Sequence, residues 1–438
     1  MSVASVASSR LFRHASVLVA FVTGYAPSAL GANEILNSFG EAVRQVLRQP
    51  HGHYTTAPGI PFLGPHPGRD PLGRGGVWKL HPSSLAGGGH FKVATSYFNG
   101  GGHPISVSPA PGPSYPWEGS AATGGGSINT GNGDLLTNLQ LVGWKSRGLG
   151  IDFTLYHNSE TNYNAELGAG WTWTYDIYIN PTTGASPVVH WGDGLCIPYS
   201  TSGSSFVPPA GIYDQLVKNS NGTWTVTKKN GTTYQFNTSG FCTSIADLNG
   251  NTITLTLNSG NYCTKITDPT GKSLTSNLNG SNQFTSIVDP LGRTWSFTIT
   301  SGELTSVAWP SLNGTIYNDA FTYNSLNDIL THTDRRGEVW SRTYNSDGST
   351  ASATDPLSHT TTYGYTASAT TITDPLSHTR TDNYSSGQLA SSEDESGYSV
   401  SYTSYDANHN PTTVVDKNSN TWHFTYDSKG NTLTKTDL

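Results

Sequence analysis

The chain has 438 residues, 49 of them Gly and 24 Pro, with 12% charged residues and a formal net charge of -7; an ordinary soluble domain carries about 25% charged residues. So thin a coat of charge, with no cluster of Lys or Arg, excludes a nucleic-acid binder working through phosphate contacts. A charge-driven disordered chain is excluded too, because 11% of the residues are aromatic and Thr, Val, Ile and Tyr recur throughout. The composition is that of a β-rich protein.

Residues 1–32 carry Arg10 and Arg13, an apolar run from Ala15 to Val22, and a small-residue stretch ending Ala29-Leu-Gly-Ala32. That three-part layout reads as a secretory signal peptide, so the expectation is a secreted or cell-surface protein in an oxidising compartment. The apolar run is shorter than the ~20 residues that cross a bilayer, and no later stretch qualifies, so no membrane span remains after cleavage. Over 33–50, Ile35, Leu36, Phe39, Val43, Val46 and Leu47 fall at helical spacing, which predicts a short amphipathic helix stopped by Pro50. Residues 51–124 are rich in Gly, Pro and His and have no sustained period, and they read as a disordered linker. Six of the 14 histidines lie in this stretch; without a fixed third ligand they read as solvated rather than as a metal site.

An opening β domain is placed at 125–213, and from 214 to the end the sequence repeats. The anchor is an Asp that opens a turn, at Asp247, Asp268, Asp289, Asp334, Asp355, Asp374, Asp394 and Asp416, with a degenerate unit at Trp309-Pro-Ser-Leu-Asn-Gly314. The mean step is about 21 residues, within the range of repeat proteins. In Asp289-Pro-Leu-Gly292 the Asp bonds a downstream amide, Pro presets φ and Gly makes the exit, so these positions are structural turns. An alternating run follows, as in Arg293-Thr-Trp-Ser-Phe-Thr-Ile299, then a Tyr-Asn or Tyr-Asp turn such as Tyr344-Asn345 or Tyr426-Asp427, then a second strand. Each unit is therefore a hairpin. Lone hairpins are marginal in water, so the units must share one continuous antiparallel sheet faced outward with Thr, Ser and Asn.

Cys242 and Cys263 occupy equivalent repeat positions 21 residues apart. Equivalent positions sit two strands apart, about 9.6 Å, which is too far for a disulfide. His359 and His378, in two copies of Asp-Pro-Leu-Ser-His-Thr, supply too few ligands for a metal. Gly271-Lys-Ser273 lacks the spacing of a phosphate loop. The many Asp residues follow the repeat instead of converging as an acid/base pair. The sequence offers no catalytic residue, no cofactor-binding residue and no metal ligand. Its aromatic residues remain as recognition candidates, with Trp171, Trp173, Trp191 and Trp224 as the surface to test, although alternation turns most of them inward.

The Tyr-Asp turn, the second strand and the Thr-Asp-Pro-x-Gly turn together resemble the YD repeats of the RHS family, bacterial relatives of the teneurin shell. Asn129-Thr-Gly-Asn-Gly-Asp-Leu135, Gly148 to Ser159 and Gly168-Ala-Gly-Trp-Thr-Trp173 are similar to the region that opens RHS shells, and Asn221 to Phe236 resembles the hairpin leading into the repeats. The resemblance covers about residues 125–438. It implies a spiralling all-β wall, part of a β-cocoon, that encloses a polypeptide such as a C-terminal toxin and has no enzymatic activity of its own. Because the sequence stops inside a repeat turn at Thr436-Asp-Leu438, a fragment of a longer protein is expected. The alternative is a secreted adhesin or carbohydrate-binding module whose partner is a cell-surface glycan or protein.

Overall fold

The computed structural model describes residues 96–98, 104–106, 120–123, 126–161, 163–180 and 186–437. The expected signal peptide at 1–32, the helix at 33–50 and most of the linker at 51–124 lie outside the described residues. Within that linker range, Ser96–Phe98 pairs with Pro104–Ser106, and Ser120–Thr123 pairs with Gly126–Asn129. The latter pair opens a five-stranded sheet completed by Leu135–Trp144, Ile151–Asn158 and Trp171–Trp173, so this sheet starts a few residues ahead of position 125. No described segment is a helix, and none is long and apolar enough to cross a membrane as one.

The repeats form one antiparallel sheet of 22 strands, taken strictly in chain order from Gln215–Lys218 to Thr432–Asp437. Alternation creates its two faces. In Thr294–Thr300, Trp295 and Phe297 point inward and are buried, while Thr294, Ser296 and Thr298 are exposed. The outward hydroxyls pair across strands, with Thr343 and Ser352 2.6 Å apart, Thr354 and Thr360 2.8 Å, and Thr425 and Thr434 2.7 Å. A neutral hydroxyl ladder of this kind covers a surface without charge, which accounts for the low proportion of ionisable residues.

Turn chemistry fixes both rims. At all eight anchor positions the Asp Oδ1 accepts hydrogen bonds from the amides two and four residues on; for Asp289 these are Leu291 and Arg293, both at 2.9 Å. The opposite rim uses the same clip with an amide or a carboxylate, at Asn237, Asn258, Asn279, Asn324, Asp406 and Asp427. On that second rim most hairpins carry a register shift, as at Thr256/Leu257, Thr343/Tyr344 and Thr425/Tyr426. A bulge adds right-handed twist locally, so the extra twist is concentrated along one rim. The degenerate unit is the exception: instead of a short turn, Trp309 to Tyr317 form a longer excursion closed by the Trp309 amide on the Tyr317 carbonyl.

The twist brings the sheet back onto itself. Tyr213, just ahead of the first strand, accepts a hydrogen bond from Asn410 Nδ2 at 2.9 Å, 197 residues later, and the same ring lies where a side chain on Gly430 would clash. The residue leading into the sheet thus meets two late turns.

In the anchor turns the fourth residue has positive φ. Gly250, Gly271, Gly292, Gly337 and Gly397 fill it in five units, and a Cβ there would meet nothing within 4 Å, so backbone conformation and not crowding selects Gly. Ser358, Ser377 and Ser419 stand in the same slot at φ 68°, 70° and 64°. The left-handed region costs an L-residue about 1–2 kcal/mol, offset in part by the greater freedom of Gly in the unfolded chain. Each Ser→Gly change at these positions should therefore raise stability by about 0.5–1 kcal/mol, read from urea denaturation. A loss at all three would overturn this account of the turn.

Candidate functional site

The apolar face of the sheet and the opening segment laid along it are the best-built region of the described chain. One cluster joins Phe153, Leu155, Trp171, Trp173, Ile179 and Tyr199 of the opening segment to Phe236, Phe284, Trp295, Phe297, Leu304 and Phe321 of the repeats. Trp173 packs edge-on to Phe284 at 5.3 Å, and Trp171 edge-on to Phe321 at 5.0 Å. Polar contacts fix the register of the two layers. Trp144 Nε1 donates to Asp268 Oδ2 at 2.8 Å, the Phe284 amide to the Glu166 carbonyl at 2.8 Å, and the Ala169 amide to the Gly302 carbonyl at 2.9 Å. Farther along, the Thr370 hydroxyl donates to the Thr130 carbonyl at 2.5 Å, and the Thr130 hydroxyl donates to Asp382 at 2.9 Å.

The four tryptophans considered for surface recognition sit inside this packing. Trp171, Trp173, Trp191 and Trp224 are 1%, 2%, 8% and 3% exposed, so none presents a ring face to solvent. Alternation gave their inward direction, and the opening segment completes the burial by covering them from the other side.

The sequence reading treated the Tyr of each Tyr-Asp turn as part of the turn alone. The structure gives it a second role. Tyr344, Tyr365 and Tyr426 reach back 15 residues, and their hydroxyls donate to the carbonyls of Ile329, Thr350 and Pro411 at 2.9, 2.9 and 2.7 Å. Tyr323 and Tyr405 do the same to Leu304 and Leu389 at 2.5 Å. The acceptor lies in the preceding hairpin, so each phenol stitches one unit to the one before it. Burial pushes these phenols up, Tyr405 to about 12, so they remain neutral donors. Tyr344→Phe leaves the Ile329 carbonyl without its phenol donor and should cost about 1–3 kcal/mol. Tyr398→Phe, at a position 59% exposed, should change little. Equal and small losses at both positions would remove the stitching role.

The eight anchor aspartates stay at the rim, each engaged by its own turn and not gathered into a pocket. His359 Nδ1 pairs with Asp355 Oδ2 at 3.0 Å, and His378 Nδ1 with Asp374 Oδ2 at 3.1 Å, so each repeat histidine faces its own turn. Among the described residues, no group of three or more His, Cys, Asp or Glu side chains is placed to hold a metal. Cys196, Cys242 and Cys263 are buried and unbridged, and burial pushes the Cys263 thiol up to about 12, far from a reactive thiolate.

A family model described as the RHS repeat matches residues 384–421 and 405–437. Among solved structures, the chain is similar to a Photorhabdus luminescens Tc holotoxin pore at 11% identity, covering 82% of this chain and 21% of the other with a TM-score of 0.33. A TcdB2-TccC3 structure aligns at 10% identity over 82% of this chain and 22% of the other, TM-score 0.34. The chain therefore spans about a fifth of the length of these structures. No curated protein matches. Residues 384–437 thus carry RHS repeats, and the hairpins ahead of them share their Asx-clipped turns, with the Tyr stitch present from Tyr323 onward.

Proposed function

We propose that this chain is a segment of a shell wall that encloses a polypeptide, such as a toxin region of a longer RHS-repeat protein, and that it works without chemistry of its own. The contact of Tyr213 with Asn410 carries the reading, because a sheet whose late turns reach back to the residue leading into its first strand winds and is not an open ribbon. Winding also protects sheet edges and creates an inner face distinct from the outer one. The inner face bears the aromatic rows, and the outer face bears neutral hydroxyls that give proteases and partners little to grip. A location outside the producing cytoplasm belongs to the same proposal, resting on the export-like segment at 1–32 and the family match at 384–437.

The test is limited proteolysis of the natural gene product. A polypeptide that resists trypsin under native conditions, and is digested once guanidinium opens the wall, is the expected result. Complete digestion under native conditions would remove the enclosure reading. The adhesin alternative draws no support from its four candidate tryptophans, which are buried; specific binding to a glycan array would restore it.

A further inference from the structure

The fourth residue of the first strand in each unit points inward, and the repeats fill this slot with apolar or aromatic groups: Leu255, Phe297, Phe321, Tyr363, Tyr402 and Phe424. Three units depart from that pattern, and at Ser276 the hydroxyl is satisfied by the Cys263 carbonyl at 2.5 Å. Asp382 does so with partners, taking hydrogen bonds from Thr130, Arg380 and Ser392. Arg342 does so without them. It is 3% exposed, and none of Nε, Nη1 and Nη2 meets an acceptor from the protein. One unit along the sheet, the Tyr363 hydroxyl is likewise buried with no partner.

Both side chains line a cavity of about 200 Å³ whose other walls include Trp340, Ala353, His359 and Thr361. The pairing of Arg342 with Ala353 and of Ala353 with Thr361 sets these residues in one row across three strands. A guanidinium taken from water without an acceptor costs several kcal/mol, whereas Phe in the same slot would cost nothing. We propose that Arg342 and Tyr363 form a subsite for a carboxylate, supplied by an acidic side chain of a polypeptide held against this inner face. The reading rests on the enclosure proposed above and specifies one contact within it.

The chemistry selects the ligand class. The guanidinium fork matches a carboxylate bidentately, and the phenol adds a third donor. The cavity has room for a Glu or Asp head group. Asp355, paired with His359 at the same cavity, disfavours a dianion such as phosphate. Swinging the Arg342 head group into the cavity replaces an unpaired buried cation by a paired one.

Binding to the full chain is measured by titration calorimetry with N-acetylglutamate amide and its uncharged counterpart N-acetylglutamine amide. The acidic probe should bind about tenfold or more tightly, and Arg342→Met should erase the difference while leaving the thermal transition unchanged or raised. Should Arg342→Met fail to fold, Arg342→Lys, which keeps the charge but loses the fork, should still weaken the acidic probe about tenfold. Equal affinity for the two probes, or discrimination that survives the substitution made, overturns the subsite. Acetate binding as tightly as N-acetylglutamate amide overturns the polypeptide as the source of the carboxylate. A chain that discriminates between the probes yet shields no polypeptide from trypsin would keep the subsite and lose the enclosure.

Discussion

Replacing Trp171 by Ala is expected to cost about 3–5 kcal/mol, the largest loss from any single substitution considered for this chain. The ring is 1% exposed, packs edge-on to Phe321 at 5.0 Å and to His157 at 5.2 Å, and donates Nε1 to the Tyr323 hydroxyl at 2.9 Å. Tyr323 in turn donates to the Leu304 carbonyl. Truncation therefore leaves a large cavity between the two layers and removes one link of a relay that ends on the sheet backbone. Trp171→Phe separates the two effects, keeping most of the apolar volume and losing only the Nε1 bond, for an expected 1–2 kcal/mol or so. Guanidinium unfolding followed by far-ultraviolet circular dichroism measures both. A loss under about 1 kcal/mol for the alanine variant would mean that the opening segment merely rests on the sheet and does not hold it.

Acidification is the second large effect. Hydrogen bonds hold the anchor carboxyls below their ordinary range. At Asp268 burial raises the carboxyl, but bonds from the Trp144 and Thr270 side chains and the turn amides outweigh it. At Asp289 burial is likewise outweighed, by the Arg293 side chain and amide and by the Leu291 amide. At Asp247 and Asp416, the side-chain amides of Asn251 and Asn420 are the main cause. A carboxyl that titrates lower in the fold than in the unfolded chain adds stability that is fully present above the unfolded value near 4. That stability is lost as pH falls through the lower folded value. The thermal transition should therefore be nearly flat from pH 7 to 5 and should drop by about 5–10 °C between pH 5 and 3. Asp268→Asn keeps one acceptor oxygen for the turn but sets an amide against Trp144 Nε1. It should lower stability at pH 6 by about 1–3 kcal/mol and reduce the acid-induced drop. A transition that holds or rises on acidification would refute the assignment.

What could be read in advance divides along the range of the interactions. The anchor aspartates, the alternating strands and the antiparallel order were legible because each depends on neighbours within five residues. Asx clips, preset prolines and a period of two are local facts, and stacking followed from the inability of a hairpin to stand alone. The stitch from Tyr344 was hidden because its acceptor lies 15 residues back in another hairpin, where sequence records no carbonyl. A mark did exist: Tyr323, Tyr344, Tyr365 and Tyr426 each stand two places after the inward slot, a regularity that a turn alone does not require. The bulges beside Tyr344 and Tyr426 were also within reach, since they lie next to that same residue. The pairing of Trp144 with Asp268 and of Thr130 with Asp382 was out of reach, spanning 124 and 252 residues. Arg342 could have been noticed as a charge in an aromatic slot, but its burial without an acceptor belongs to the folded neighbourhood alone.

The single-file order of the 22 strands also sets a timetable. Each hairpin pairs with the one before it, and from Tyr323 onward five are latched to it by a phenol reaching backward, so the sheet can grow one unit at a time as the chain leaves the ribosome, with low contact order within the repeats. The opening segment is made first but satisfied late. Trp171 finds Tyr323 only when about 150 further residues exist, and Thr130 waits for Asp382, about 250 residues on. In the meantime its aromatic residues are exposed in a nascent chain, the state in which proteins are most prone to aggregate. Synthesis speed and chaperone occupancy over the first 200 residues should therefore govern the yield of folded protein more strongly than any event in the repeats, and pauses should be harmless once Asp382 has been made and has reached Thr130.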